Sequence, residues 1–81
     1  MNDAELRTVV LATLTDIAPE VEADALEDDK PLRDQVDLDS MDWLNFLIGL
    51  HKKLAVDIPE SDYARLVTLH DVLEYLKARL G

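Results

Sequence analysis

The stretch Asp37-Leu38-Asp39-Ser40-Met41-Asp42, followed by the apolar run from Trp43 to Leu54, decides how the chain is read. Asp39 and Asp42 stand three residues apart around a single hydroxyl. That spacing starts helices, because a short polar side chain at the cap accepts a backbone N–H of the first turn. It predicts a helix from about Ser40 to Leu54. Leu47, Leu50 and Leu54 share one face with Phe46 beside them, and this face is assigned to the core. Met41, Leu44 and Ile48 step along a neighbouring face, so the helix is apolar around much of its circumference. Such a face is either buried under the preceding loop or left open for a partner. His51, Lys52 and Lys53 close the helix at its negative dipole end, with His51 read as a solvated end residue. On its own, Ser40 reads as a cap.

The neighbouring segments fit around this helix. Asn2 and Glu5 make a capping box, and Leu6, Val9, Val10, Thr13, Leu14 and Ile17 recur at helical spacing until Pro19 stops them. Residues 19–39 form a long acidic connection, of a length that is uncommon inside a small domain unless it serves a function. Leu26, Leu32, Val36 and Leu38 are spaced to pin it down. A calcium loop beginning at Asp37 fails, since the positions that need glycine and an acid hold Asp42 and Ile48. Pro59 followed by Glu60 predicts a short helix to about Leu66, with Tyr63 and Leu66 inward. Thr68 and Asp71 make a second capping box, opening a last helix with Leu69, Val72, Leu73, Leu76 and Leu80 on one face.

The chain has 81 residues, enough for one small domain over residues 1–81. Two glycines and three prolines argue for a few helices with short breaks and against a many-stranded sheet. With no cysteine there is neither a disulfide nor a thiolate metal site, and two distant histidines offer no metal centre. No stretch is apolar for long enough to cross a bilayer, and no basic-then-apolar leader begins the chain, so a cytoplasmic location and no membrane insertion are expected. Residues 1–42 hold thirteen acids against Arg7, Lys30 and Arg33, whereas residues 43–81 balance five acids with five bases. Nucleic-acid binding is therefore not expected, because phosphate backbones are repelled. A Ser-His-Asp enzyme is equally disfavoured, since no nucleophile elbow surrounds Ser40.

The order of parts resembles the acyl carrier protein family: an all-α, small four-helix bundle of three main helices and a short third one. Asp39-Ser40-Met41-Asp42 is similar to the family's Asp-Ser-Leu signature, Val56-Asp57-Ile58-Pro59 to its stretch before the short helix, and Thr68-Leu69-His70-Asp71-Val72 to the start of its last helix. The resemblance runs from about Leu6 to Leu80. It implies a carrier and not an enzyme, with 4′-phosphopantetheine from coenzyme A attached covalently to Ser40 between Asp39 and Met41. A phosphopantetheinyl transferase would install that arm, and acyl-loading and acyl-transfer enzymes of a fatty-acid, lipid or polyketide-type pathway would use it. Asp42, Leu44, Asn45 and Ile48 would meet these partners, with the carrier itself a monomer. The resemblance also implies a shelter for short or medium acyl chains, with Phe46, Leu50, Ile58, Tyr63, Leu69 and Leu73 as its lining. Gly49 would leave space there, and Trp43 would flank the pocket mouth or the arm.

Departures from the family pattern are as informative. Asp37 stands where the family has glycine, and Leu38 where it has a small residue. The second helix is usually acidic on its partner side, yet here it offers Asn45, His51, Lys52 and Lys53. These differences suggest a dedicated carrier more than the general carrier of fatty acid synthesis. The alternative is an unmodified helical interaction module docking through the face of Met41, Leu44 and Ile48.

Overall fold

A computed structural model describes residues 1–80. Helix α1 spans Asp3–Ile17, α2 Leu32–Gln35, α3 Ser40–Leu54 and α4 Leu69–Leu80. Two 3₁₀ segments, Ala23–Ala25 and Glu60–Arg65, complete the order. Helix α1 packs along both α3 and α4. Among the described residues no helix is long and apolar enough to cross a membrane.

Each long helix is opened by the polar residues that the spacing selects. Asn2 Oδ1 accepts the Glu5 N–H at 2.8 Å, and Asp39 Oδ1 accepts the Asp42 N–H at 2.8 Å. At α4 the box is reciprocal: Thr68 Oγ1 accepts from the Asp71 N–H, and Asp71 Oδ2 accepts from the Thr68 N–H. Helix α3 ends at Ala55, which adopts the left-handed conformation (φ 54°, ψ 38°) without being glycine. His51 Nδ1 lies 2.7 Å from the Val56 carbonyl; a carbonyl only accepts, so the ring carries its proton on Nδ1. His51 is thus a half-exposed C-terminal cap, a more definite role than that of a free end residue.

The core is one continuous cluster. Leu6, Val10 and Leu14 of α1 meet Phe46, Leu47 and Leu50 of α3 and Leu69, Val72 and Leu76 of α4. Two details of the expected stripes differ. Leu80, the final residue of α4, is exposed and lies outside the core, and Tyr75 is buried instead. The phenol is accommodated because its hydroxyl donates to Asp62 Oδ2 at 2.6 Å, a carboxylate that also receives Arg79 at 3.1 Å. This cluster fastens the second 3₁₀ segment, the short third helix of the sequence reading, to α4.

The acidic connection is tied down along its length. Leu32, Val36 and Leu38 are buried, with Leu26 partly so. Arg7 grips Asp28 through two bonds of 2.8 and 2.9 Å, and the Asp28 carbonyl accepts the His70 N–H at 3.0 Å. Gln35 closes the loop on itself, accepting from the Glu27 N–H and donating to the Glu27 and Lys30 carbonyls. The Leu32 N–H donates to the Val67 carbonyl at 2.9 Å, beside a bridge between Pro31 and Thr68. The Arg7 guanidinium holds the Asp28 carboxyl below its ordinary value, mainly through their hydrogen bonds.

Candidate functional site

Ser40 is the first residue of α3 and is exposed. The cap is Asp39, not Ser40: the Asp39 carboxylate takes the Asp42 N–H, and its carbonyl takes the Trp43 N–H at 3.0 Å. Ser40 Oγ is therefore left without a partner among the described residues. So are the N–H groups of Ser40 and Met41, two of the donors that every helix start leaves unpaired. A hydroxyl beside free N–H groups at the positive end of a 15-residue helix suits a phosphate ester. Asp37, Asp39 and Asp42 add negative charge on either side of it, which turns an arm carried beyond such an ester outward from the protein.

Beyond Ser40 the exposed side of α3 carries Met41, Leu44, Asn45 and Ile48. All four stand in solvent, so the apolar face is open and not covered by the acidic loop. Asp42 is half-buried beside them. Trp43, expected at the pocket mouth or beside the arm, is mostly buried and tilts against Phe46 with ring centroids 5.2 Å apart. It also lines a groove of about 470 Å³ beneath the loop, with Leu38, Tyr63, Leu66 and Val67.

The six residues suggested for an acyl shelter do not line one cavity. Phe46, Leu50 and Leu69 are fully buried in the closed core, and Leu73 faces a separate hollow between α1 and α4. Ile58 and Tyr63 do meet, in a cavity of about 290 Å³ walled by Leu47, Ile48, His51, Asp57 and Pro59. Gly49 does not open space toward it. A Cβ at Gly49 would stand 2.8 Å from Thr13 Cγ2, so this glycine admits α1 and not a cargo. Leu47 and His51 were absent from the expected lining; their position one turn apart, ahead of Asp57-Ile58-Pro59, was the signal that points to them. Among the described residues no group of three or more His, Asp or Glu side chains is placed to hold a metal ion.

A small helical bundle with an exposed serine at the start of α3 has the layout of a carrier domain, and comparison with known proteins supplies the family. The profile of the phosphopantetheine attachment site matches residues 6–76. An acyl carrier protein of Campylobacter hominis is 30% identical over 73 residues, covering 90% of this chain and 86% of that protein. One from Campylobacter jejuni subsp. jejuni is 28% identical over 72 residues, covering 89% and 87%. The solved acyl carrier protein of Enterococcus faecalis superposes with a TM-score of 0.75 at 20% identity, covering 98% of this chain and 99% of that one. The chain belongs to the acyl carrier protein family. It is a carrier and not an enzyme, its cofactor is covalently attached 4′-phosphopantetheine, and it works with acyl-handling enzymes.

Proposed function

We propose that Ser40 is the attachment residue and that the chain is a dedicated, monomeric acyl carrier. The observation that carries this reading is the division of labour at the helix start. Asp39 does the capping, so the exposed Ser40 hydroxyl is free for a transferase to use without any local base. Asp39 and Met41 flank it, and the unpaired Ser40 and Met41 N–H groups at the positive end of α3 favour the ester's phosphate. When bound, the arm supplies a thiol on which acyl groups travel as thioesters; with no cysteine, the chain itself has no competing thiol.

Ile58 and Tyr63, with Leu47, Ile48 and His51, are proposed to shelter the acyl chain. A cavity of about 290 Å³ amounts to roughly ten water volumes, a size that suits short and medium chains. A dedicated role is supported by the exposed side of α3, where Asn45 and Lys52 stand where a general carrier presents acids. Its partners would be a phosphopantetheinyl transferase and a small set of loading and transfer enzymes, contacting Asp42, Leu44, Asn45 and Ile48.

The test is intact mass after incubation with coenzyme A, Mg²⁺ and a broad-specificity phosphopantetheinyl transferase. The chain is expected to gain one phosphopantetheine, and Ser40→Ala none, with an unchanged circular dichroism spectrum. Modification that persists in Ser40→Ala would refute the assignment. No gain with several transferases would favour the unmodified interaction module.

A further inference from the structure

Helix α3 advances about 100° per residue, which sets His51, Leu44, Ile48, Met41, Lys52 and Asn45 on one arc of about 120°. All six are exposed. In a chain with eighteen acids, this arc carries none. The only acid of the helix, Asp42, lies to one side of the arc in the first turn, next to Asp39. At the far end Lys52 makes no ion pair among the described residues. Its neighbour Lys53 points elsewhere and is paired with Asp16 at 2.8 Å. Asp57 sits 3.9 Å from His51 Nδ1, and His51 is on the opposite border of the arc from Asn45 and Lys52. The face is therefore graded: carboxylates by Ser40, then Met41, Leu44 and Ile48 in a row, then a free ammonium.

We propose that this arc docks a partner enzyme with the inverse gradient. Its surface has cations around the approach to Ser40, an apolar slot for Met41, Leu44 and Ile48, and a carboxylate patch opposite Lys52. Twelve residues of helix place that patch roughly 18 Å from the serine. The proposal rests on the carrier reading for the partner's being an acyl-handling enzyme. The net charge of −10 draws any basic surface from a distance. Contact then discriminates, because a uniformly basic surface must set a cation against Lys52, and like charges brought together are the usual means of refusing a wrong partner. The apolar residues at the centre supply the burial; the charges at the two ends set orientation and choice.

The test uses two synthetic amphipathic helical peptides with the same leucine face. One has lysines at one end and glutamates at the other; the second has lysines throughout its rim. Each is titrated into the isotope-labelled full chain bearing Ser40→Ala, at physiological ionic strength, and amide shifts are followed by NMR. The graded peptide is expected to bind about three- to tenfold more tightly, the range that one exposed charge contact changed from repulsive to attractive supplies. Shifts should fall on Met41, Leu44, Ile48 and Lys52. Lys52→Glu, at an exposed and unpaired position, should erase or reverse the preference. An all-lysine peptide that binds equally well or better to the chain with Lys52 intact overturns the proposal, as do shifts confined to the acidic loop. Because Ser40 is absent from the titrated chain, this outcome is independent of whether the serine is loaded.

Discussion

Gly49→Ala isolates what holds α1 against α3. In an exposed helix interior, alanine in place of glycine gains about 1 kcal/mol of helix propensity. Here the new Cβ would meet Thr13 Cγ2 at 2.8 Å, where ordinary contact begins near 3.4 Å. The threonine has no easy way out. Its hydroxyl donates to the Val9 carbonyl at 2.8 Å, and β-branched side chains in helices hold few rotamers, so turning the methyl away breaks a bond or strains χ1. Thr13 is also buried, which leaves separation of the helices as the remaining relief. Overpacking of this kind costs about 1–3 kcal/mol. Set against the propensity gain, the clash leaves Gly49→Ala destabilised by up to about 2 kcal/mol. For a chain of this size that lowers Tm by about 4–8 °C per kcal/mol. Urea unfolding followed by circular dichroism measures it, on the single variants and on Thr13→Ser with Gly49→Ala. Thr13→Ser removes the offending methyl and keeps the hydroxyl, so the double variant should be more stable than the sum of the single effects by about 1 kcal/mol or more. A stabilising Gly49→Ala, or additivity in the cycle, would refute the close-approach argument.

Three further outcomes are expected. Ala55→Gly should stabilise the chain by about 0.5–1 kcal/mol, since only glycine takes φ 54° without strain; an unchanged or lower urea midpoint would contradict this. Burial first, and then the bond to Asp62, hold the Tyr75 hydroxyl above its ordinary value. Its proton is bound more tightly folded than unfolded, so this contribution is complete below about pH 10 and is lost as pH rises through the raised folded value. Tyr75→Phe should remove that alkaline loss, read as Tm against pH. Filling the proposed shelter with Ile58→Trp should speed hydrolysis of a hexanoyl thioester by about tenfold, the worth of two methylenes no longer buried; an unchanged rate would place the acyl chain elsewhere.

Much of this architecture was legible because local chemistry and periodicity agreed. The bounds of α3 followed from Asp39 and Asp42 at one end and the cations at the other, and the α4 start followed from Thr68 and Asp71. Helix α2 and the turn at Ala23–Ala25 were not legible. Four residues have no period, and α2 exists because Leu32 is buried and bonded to Val67, a partner 35 positions away. Ala55 gave no sign of a left-handed cap, since that sign is normally a glycine. Gly49 was read as vacant space because periodicity gives the face a residue occupies, not the neighbour it meets. At the site, the sequence left the face of Met41, Leu44 and Ile48 either buried under the loop or open, and the structure leaves it exposed. The shelter departs from the sequence reading, because Phe46, Leu50 and Leu69 share a helix side with the core and only the chain's path after Val56 creates the hollow beside Ile58.

Trp43 is the only tryptophan of the chain, and it sits one turn beyond Ser40 against Phe46. The molecule therefore contains its own optical probe, positioned at the first turn of α3 and nowhere else. Indole emission reports the environment of this one helix start, free of background from other tryptophans. Displacement of Leu38, which lines the same groove as the indole, can be timed by stopped flow on the unlabelled chain.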